Sequence, residues 1–405
     1  MLVLAPLGLI VLLVWLVPEP ARLGFAGDLG IYREYGLRLL QGSIPYLDFP
    51  VEYPPLALAP MTLPLLVAPP GGPTEVDYLW RFTLMEGVLA AGGGWLIFRS
   101  TGDSRTALVW WAVLVSVAWA SVALRYDLWA VLCVLVAVLV VDRRPGAAGV
   151  ALGLGTMLKL YPIVLLPVLC AWAIARRNRP GLVRLLVGCA SVVVVVMAAA
   201  WALAGPDSLQ WLLYQADRGL QIESLGAGML MGVHVLFGQP VDVVRGFGTI
   251  QVESGGSDLL VAASPIALVV LLGVVVLVAL RRFRLDEDRL GRVPRASIVL
   301  AAVAAVAALL VGSKVLSVQY VIWLVPFVPF LPVPMRWLVL AIAAVSTAIY
   351  TVDYQALMHL EPPWILALMV RNGLLVVLLA WLVVELWGSR GPSAVRDRAP
   401  AGAGS

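Results

Sequence analysis

The sequence predicts an all-α protein that crosses a membrane many times, and two observations carry that prediction. Hydrophobic residues make up 61% of its 405 residues against 13% charged, and mean hydropathy is +0.96. A soluble domain of this make-up would expose more apolar surface than such domains tolerate. Apolar runs near or above the ~20 residues that cross a bilayer as helix also recur along the chain. Little outside them is long enough to bury a core of its own. Residues 1–387 therefore read as one transmembrane unit, and 388–405, rich in Gly, Pro, Ala and Arg, as a disordered cytoplasmic tail.

In chain order, about twelve crossings are expected. They are Leu2–Val17, Val76–Phe98, Ala107–Ala123, Leu128–Val141, Ala147–Lys159 and Pro162–Ala175, then Leu182–Leu203, Leu259–Leu280, Ala296–Gly312, Tyr320–Met335, Leu338–Thr351 and Trp364–Leu386. The first lacks a basic start and an A-x-A site, so it reads as a retained helix and not a signal peptide. Leu56–Pro69 is interrupted by Pro60, Pro64 and Pro69. Proline removes helix bonds that lipid cannot replace, so this run is expected to be re-entrant or broken. Ala147–Lys159 and Pro162–Ala175 are short for a span and are expected to form a V with Lys159-Leu160-Tyr161-Pro162 at its apex.

The loop charges orient the whole. With Leu56–Pro69 not crossing, one side collects Arg99, Arg105, Arg143, Arg144, Arg176, Arg177, Arg179, Arg184, the 281–295 cluster and Arg336. The positive-inside rule makes that side and both termini cytoplasmic. Gly27–Pro55, Arg125-Tyr126-Asp127, Gly205–Asp258, Ser313–Gln319 and Asp353–Pro363 then fall outside. The net charge of +4 is scattered and forms no basic stripe, so no nucleic-acid partner is expected. Cys133, Cys170 and Cys189 sit in apolar runs as packing residues. With only two histidines, His234 and His359, no histidine-rich metal site can form.

Candidate chemistry lies on the outer side. Gly27–Pro55 is a dense polar island carrying Asp28, Arg33, Glu34, Arg38, Asp48 and Glu52, and ionisable groups at a bilayer edge are costly without water, partners or substrate. Asp28 precedes an amphipathic stretch, Ile31–Leu40, that suits a helix lying in the interface, with Ile31, Tyr35 and Leu39 or Leu40 on one face. Two roles are open to Asp28: N-cap of that helix, or catalytic base. Prolines stiffen the backbone around Tyr46, Asp48, Glu52 and Tyr53. Asp28, Asp48 and Glu52 could hold a hard cation only if they converge, and no metal site is assigned. Arg125 and Asp127 either pair with each other, or Arg125 meets a phosphate. Lys159, at a mid-membrane apex, needs an anionic partner. Lys314 reads either as an interface anchor or as a phosphate contact beside Gln319 and Tyr320.

In order, D-x3-Y, G-x3-Y, E-Y-P-P, R-x-D, K-x-Y-P and S-K-x-L-S-x-Q-Y-x-x-W-L-x-P run from Asp28, through Tyr32, Gly42, Tyr46, Glu52, Arg125, Asp127 and Lys159, to Lys314, Gln319, Trp323 and Pro326. This set resembles glycosyltransferase family 87, bacterial GT-C membrane enzymes typified by polyprenyl-phosphate-mannose-dependent α-1,2-mannosyltransferases. The resemblance implies a GT-C-like fold in the plasma membrane with its active site on the outer face. It also implies transfer of a hexose, most simply mannose, from a polyprenyl-phosphate donor to a glycolipid or glycan hydroxyl, with inversion and no cofactor. Asp28 takes the catalytic place. Lys314, Arg125, Gln319 and Tyr320 would bind the donor phosphate, and Tyr32, Tyr46, Glu52, Tyr53, Asp127 and Lys159 would bind substrate. No Walker A sequence or dinucleotide-binding glycine motif accompanies them. Gly205–Asp258 is short for a module that recognises a large acceptor. The rival reading is a transporter or flippase, which predicts functional charges near the midplane, open to each side in turn.

Overall fold

The computed structural model describes residues 4–16, 27–66 and 74–388, so the tail beyond Gly388 and the ends of Leu2–Val17 and Leu56–Pro69 lie outside the described residues. The architecture is helical, apart from one hairpin. Five helical stretches are long and apolar enough to cross a membrane: Arg179–Asp217, Ser257–Leu290, Arg295–Gly312, Val333–Thr351 and Pro362–Trp387. This is a polytopic membrane protein.

The other expected crossings depart from regular spans for local reasons. Ala107–Ala123 breaks at Ala118 into helices Arg105–Val117 and Trp119–Ala123. The expected crossing Tyr320–Met335 is not one helix. It is two short 3₁₀ helices, Val318–Trp323 and Val325–Phe330, followed by a new helix from Val333. Pro326 and Pro329 supply no backbone donors there, and the tighter 3₁₀ form tolerates them in short pieces. Glu75–Ser100 is long enough at 26 residues but carries Arg81 and Glu86 within it.

The loops sort to two ends. At one, Arg295 Nη1 donates to the Ser100 carbonyl at 2.7 Å and Arg281 Nη1 to the Trp387 carbonyl at 2.6 Å. There too Arg176 bridges Asp142 and, at 3.3 Å, Glu287. At the other end, Arg125 joins Asp28, Gln319 and Tyr350, and Lys314 Nζ donates to the Ala216 carbonyl at 2.7 Å. The arginine distribution predicts this grouping, including the placement of Ser100 beside Arg295.

Helices Asp127–Val140 and Pro145–Leu158 have 14 residues each. At 1.5 Å per residue each is about 21 Å long, roughly 10 Å short of a bilayer core of about 30 Å. Both have one terminus at the arginine-rich end. Their other termini, Asp127 and Lys159, therefore stop inside the molecule. The chain turns at Lys159 and returns through a 3₁₀ turn, Tyr161–Leu165, and helix Leu166–Ala175 to Arg176, which is the expected V. The recess above these short helices is where the site forms.

Two segments cover the recess. Helix Gly27–Leu40 buries Leu29, Tyr32 and Tyr35 and leaves Leu40 exposed, so its inner face is rotated from the one expected. It packs on Leu58–Thr62 and Leu63–Leu65, the later pieces of a broken run that begins with Pro55–Ala57 and is too short to span. Gly36 permits that approach: a Cβ there would lie 2.9 Å from the Met61 carbonyl oxygen and 2.6 Å from Leu65 Cδ1. Tyr78 holds the run from below by donating to the Met61 carbonyl at 2.8 Å. The second cover is the stretch after Ala204, which forms helices Gln210–Asp217 and Leu225–Phe237 and an antiparallel hairpin, Asp242–Gly246 with Thr249–Glu253. The hairpin turn, Phe247-Gly248, has positive φ at both residues, the geometry that matches strand twist in a two-residue turn.

Two outcomes follow from this packing. Cysteines placed at Ser43 and Thr101 should label from opposite sides of the membrane. Gly36→Val should lower stability by about 1–3 kcal/mol through overpacking against Met61 and Leu65, read as a fall in melting temperature in detergent.

Candidate active site

A cavity of about 630 Å³ occupies the recess. Its charged lining residues include Asp28, Glu52, Arg125, Lys159, Arg218 and Arg245, and its apolar ones Leu160, Ile163, Val164, Leu268, Leu309 and Leu310.

Arg125 is the hub of the charged lining. It lies in the irregular backbone between helices Trp119–Ala123 and Asp127–Val140, so its side chain is not committed to a helix face. Its Nε sits 3.0 Å from Asp28 Oδ2 and donates to Gln319 Oε1 at 2.6 Å. Nη1 donates to the Leu124 carbonyl at 2.9 Å and Nη2 to the Tyr350 hydroxyl at 2.9 Å. All three guanidinium nitrogens are engaged. Arg125 is thus the partner of Asp28, where the sequence had offered it either Asp127 or a phosphate.

Asp28 itself is not the cap residue. It is the second residue of helix Gly27–Leu40, in the first turn, where the helix dipole favours a carboxylate. Its side chain keeps 37% exposure although Arg125 keeps 8%, so the pair presents its anionic member to the cavity.

Asp127 and Lys159 close the floor. Lys159 Nζ meets Asp127 Oδ2 at 2.6 Å, and Trp323 Nε1 donates to Asp127 Oδ1 at 2.7 Å. Trp323 is stacked between Tyr161 and Tyr320, with ring centroids 4.0 and 4.1 Å away. The Lys159 ammonium also lies 5.0 Å from the Tyr126 ring centre and 5.5 Å from that of Tyr320. The anionic partner that Lys159 needed is therefore Asp127.

The remaining candidates separate. Glu52, Tyr53, Gln319 and Tyr320 line the cavity; Tyr32, Tyr46 and Asp127 stand behind its wall. Tyr32 packs edge-on to Tyr53 and Tyr126. Tyr46, at φ 71°, donates its hydroxyl to the Tyr53 carbonyl at 2.8 Å and braces the backbone that presents Glu52. Lys314 is not brought to the cavity. Its ammonium caps the carbonyl end of helix Gln210–Asp217, a favourable place for a cation. Asp48 turns away to accept from Ile44 N at 2.6 Å, and among the described residues no three His, Cys, Asp or Glu side chains converge as a metal site.

Several residues escaped the sequence reading. Arg218 lies 3.7 Å from Glu52, and Arg245 comes from the hairpin. Burial holds the Glu52 carboxyl above the usual carboxylate range, opposed by Arg218 and Tyr214. Glu223 accepts from Tyr354 Oη at 2.5 Å and from Val318 N, while Arg371 donates to its carbonyl at 2.9 Å. Glu223 thereby anchors the 3₁₀ turn that carries Gln319. Arg371 within an apolar run was the legible signal, since an intramembrane charge implies a partner. Arg218 and Arg245 gave none, because arginines in a polar loop look alike.

The family model of glycosyltransferase family 87 matches residues 51–313. The chain belongs to glycosyltransferase family 87. It is therefore a membrane glycosyltransferase, which replaces the transporter reading. No curated protein matches the chain. The matched range of this family 87 protein holds Glu52, Tyr53, Arg125, Asp127 and Lys159, and ends short of Asp28 on one side and of Gln319 on the other. The fold returns both of those residues to Arg125.

A double-mutant cycle tests the floor. Lys159→Met alone should cost about 3–5 kcal/mol by leaving Asp127 buried and uncompensated. Adding Asp127→Asn should restore part of that loss in thermal unfolding.

Proposed function

We propose that this glycosyltransferase moves a hexose, mannose in the simplest case, from a polyprenyl-phosphate sugar to an acceptor hydroxyl, with inversion and with Asp28 as general base. The observation that carries the reading is the half-open Asp28–Arg125 pair on a cavity lined by both charged and apolar side chains. The charged lining suits a sugar and its phosphate. The apolar lining suits the first isoprene units, which need no polar contacts.

In this scheme the acceptor oxygen attacks the anomeric carbon as its proton passes to Asp28. The bond from that carbon to the phosphate oxygen breaks, and the lipid monophosphate leaves with the electron pair. Proton removal must occur within hydrogen-bond reach. Arg125 orients the carboxylate and, with Gln319 and Tyr350, fixes its position on the wall. Negative charge grows on the phosphate as the bond breaks, so fixed cations near it lower the barrier. The donor arrives already activated, and the reading requires no resident cofactor. With the arginine-rich end read as cytoplasmic, the positive-inside rule supports a plasma-membrane enzyme whose cavity opens on the outer face.

Asp28→Asn is the decisive substitution. The amide keeps the shape of the carboxylate beside Arg125 and the first helical turn is undisturbed, so folding and insertion should survive. Transfer from labelled polyprenyl-phosphate mannose should fall by about two to four powers of ten. A rate within a few-fold of the parent would move the base to Glu52. Nucleotide-activated mannose, offered in parallel, should give no product.

A further inference from the structure

The donor's phosphate needs a cation, and three of the available ones are committed. Arg125 is fully engaged by Asp28, Gln319, the Leu124 carbonyl and Tyr350. Lys159 is paired with Asp127, and Lys314 with the Ala216 carbonyl. Arg218 faces the phenols of Tyr214 and Tyr320 but has no close anion among the described residues. Its side chain is 10% exposed and lines the cavity, yet its nearest carboxylate oxygen, Glu52 Oε2, is 3.7 Å away. Its Nε is buried without a hydrogen-bond partner. Leaving such a donor unpaired costs free energy that a ligand can return.

We propose that Arg218 binds the phosphate of the donor lipid, and that Glu52 is the carboxylate that faces it until the donor arrives. The inference rests on the polyprenyl-phosphate reading above. A guanidinium offers two parallel N–H donors to a phosphate, a better match than the single long contact Glu52 makes. The guanidinium is held in place by Tyr214, whose ring centre lies 5.3 Å from the Arg218 Cζ. Glu52 is confined as well. Gln215 Nε2 donates to its backbone carbonyl at 3.1 Å. The hairpin turn closes on the same group: a Cβ at Gly248 would lie 2.7 Å from Tyr214 Oη and 3.0 Å from Glu52 Oε2. The two anions therefore compete for one cation inside a confined space. Donor binding is an exchange of partners, and Glu52 returning to Arg218 helps to expel the lipid phosphate after transfer.

The opposite signs of two variants test this. The full chain in nanodiscs is titrated with farnesyl monophosphate, with farnesol as the neutral control. Arg218→Gln should weaken binding of the phosphate by about ten- to a hundredfold, the worth of a charge-assisted contact, and leave farnesol unchanged. Arg218→Lys should restore part of the loss. Glu52→Gln should bind the phosphate several-fold more tightly, because the competing anion is gone. If Arg218 merely braces the two covering segments, both glutamine variants will loosen the cavity and weaken binding together. Weakened or unchanged affinity in Glu52→Gln, or unchanged affinity in Arg218→Gln, overturns the exchange alone. A parent protein that does not prefer farnesyl monophosphate to farnesol overturns the donor reading, and this site with it.

Discussion

The placement of Asp28 on the cavity depends on one buried guanidinium. Arg125 ties together the first turn of helix Gly27–Leu40, the 3₁₀ turn bearing Gln319 and the end of helix Val333–Thr351 at Tyr350. In sequence these partners are separated from it by roughly a hundred to more than two hundred residues. A buried cation of this kind is tolerable only when its donors are met and its charge is balanced, because desolvation otherwise outweighs the attraction. The same requirement fixes Asp28. A carboxylate paired with a buried arginine and still open on its other side has little freedom to turn away from the cavity.

That hub exists because the membrane bundle is incomplete beneath it. The short helices ending at Asp127 and Lys159 leave depth unfilled, and their polar ends would be intolerable in lipid without partners. The Asp127–Lys159 pair and the Tyr161–Trp323–Tyr320 stack supply those partners and give the recess a rigid floor. Chain shortage and charge placement are thus a single device. The recess creates space for substrate, and the pair that seals it prevents the space from becoming a passage.

The covering segments carry the remaining charges. Helix Gly27–Leu40 brings Asp28, the proline-braced loop brings Glu52, and the stretch between Ala204 and Ser257 brings Arg218, Glu223 and the hairpin. Hydrogen bonds hold these covers in place: Gln215 Nε2 donates to the Glu52 carbonyl at 3.1 Å, Val252 N to the Leu220 carbonyl at 2.8 Å within the last of them, and Gln221 N to the Lys314 carbonyl at 3.0 Å. Lys314 belongs to this framework. It clasps the carbonyl end of the helix that immediately precedes Arg218, and so bears on that side of the cavity without lining it.

Much of this was open to reading in the residues alone. Composition and apolar runs determined a polytopic helical protein. The arginine-rich loops determined which loops gather at which end, and Lys159 within apolar sequence announced both a turn and an anionic partner. The polar island from Gly27 to Pro55, with the motifs downstream, pointed to family 87 and to Asp28. Only the tertiary structure decided which cation meets which carboxylate. Arg125 and Asp127, two residues apart, looked like a pair, but one belongs to an irregular turn and the other opens a helix. Their side chains part, Arg125 to Asp28 and Asp127 to Lys159. Hydropathy and capping are local properties, written within one or two turns of chain. Ion pairing in a buried site is decided by long-range packing and by the cost of leaving any charge uncompensated, and that cost can be evaluated only once the distant segments are side by side.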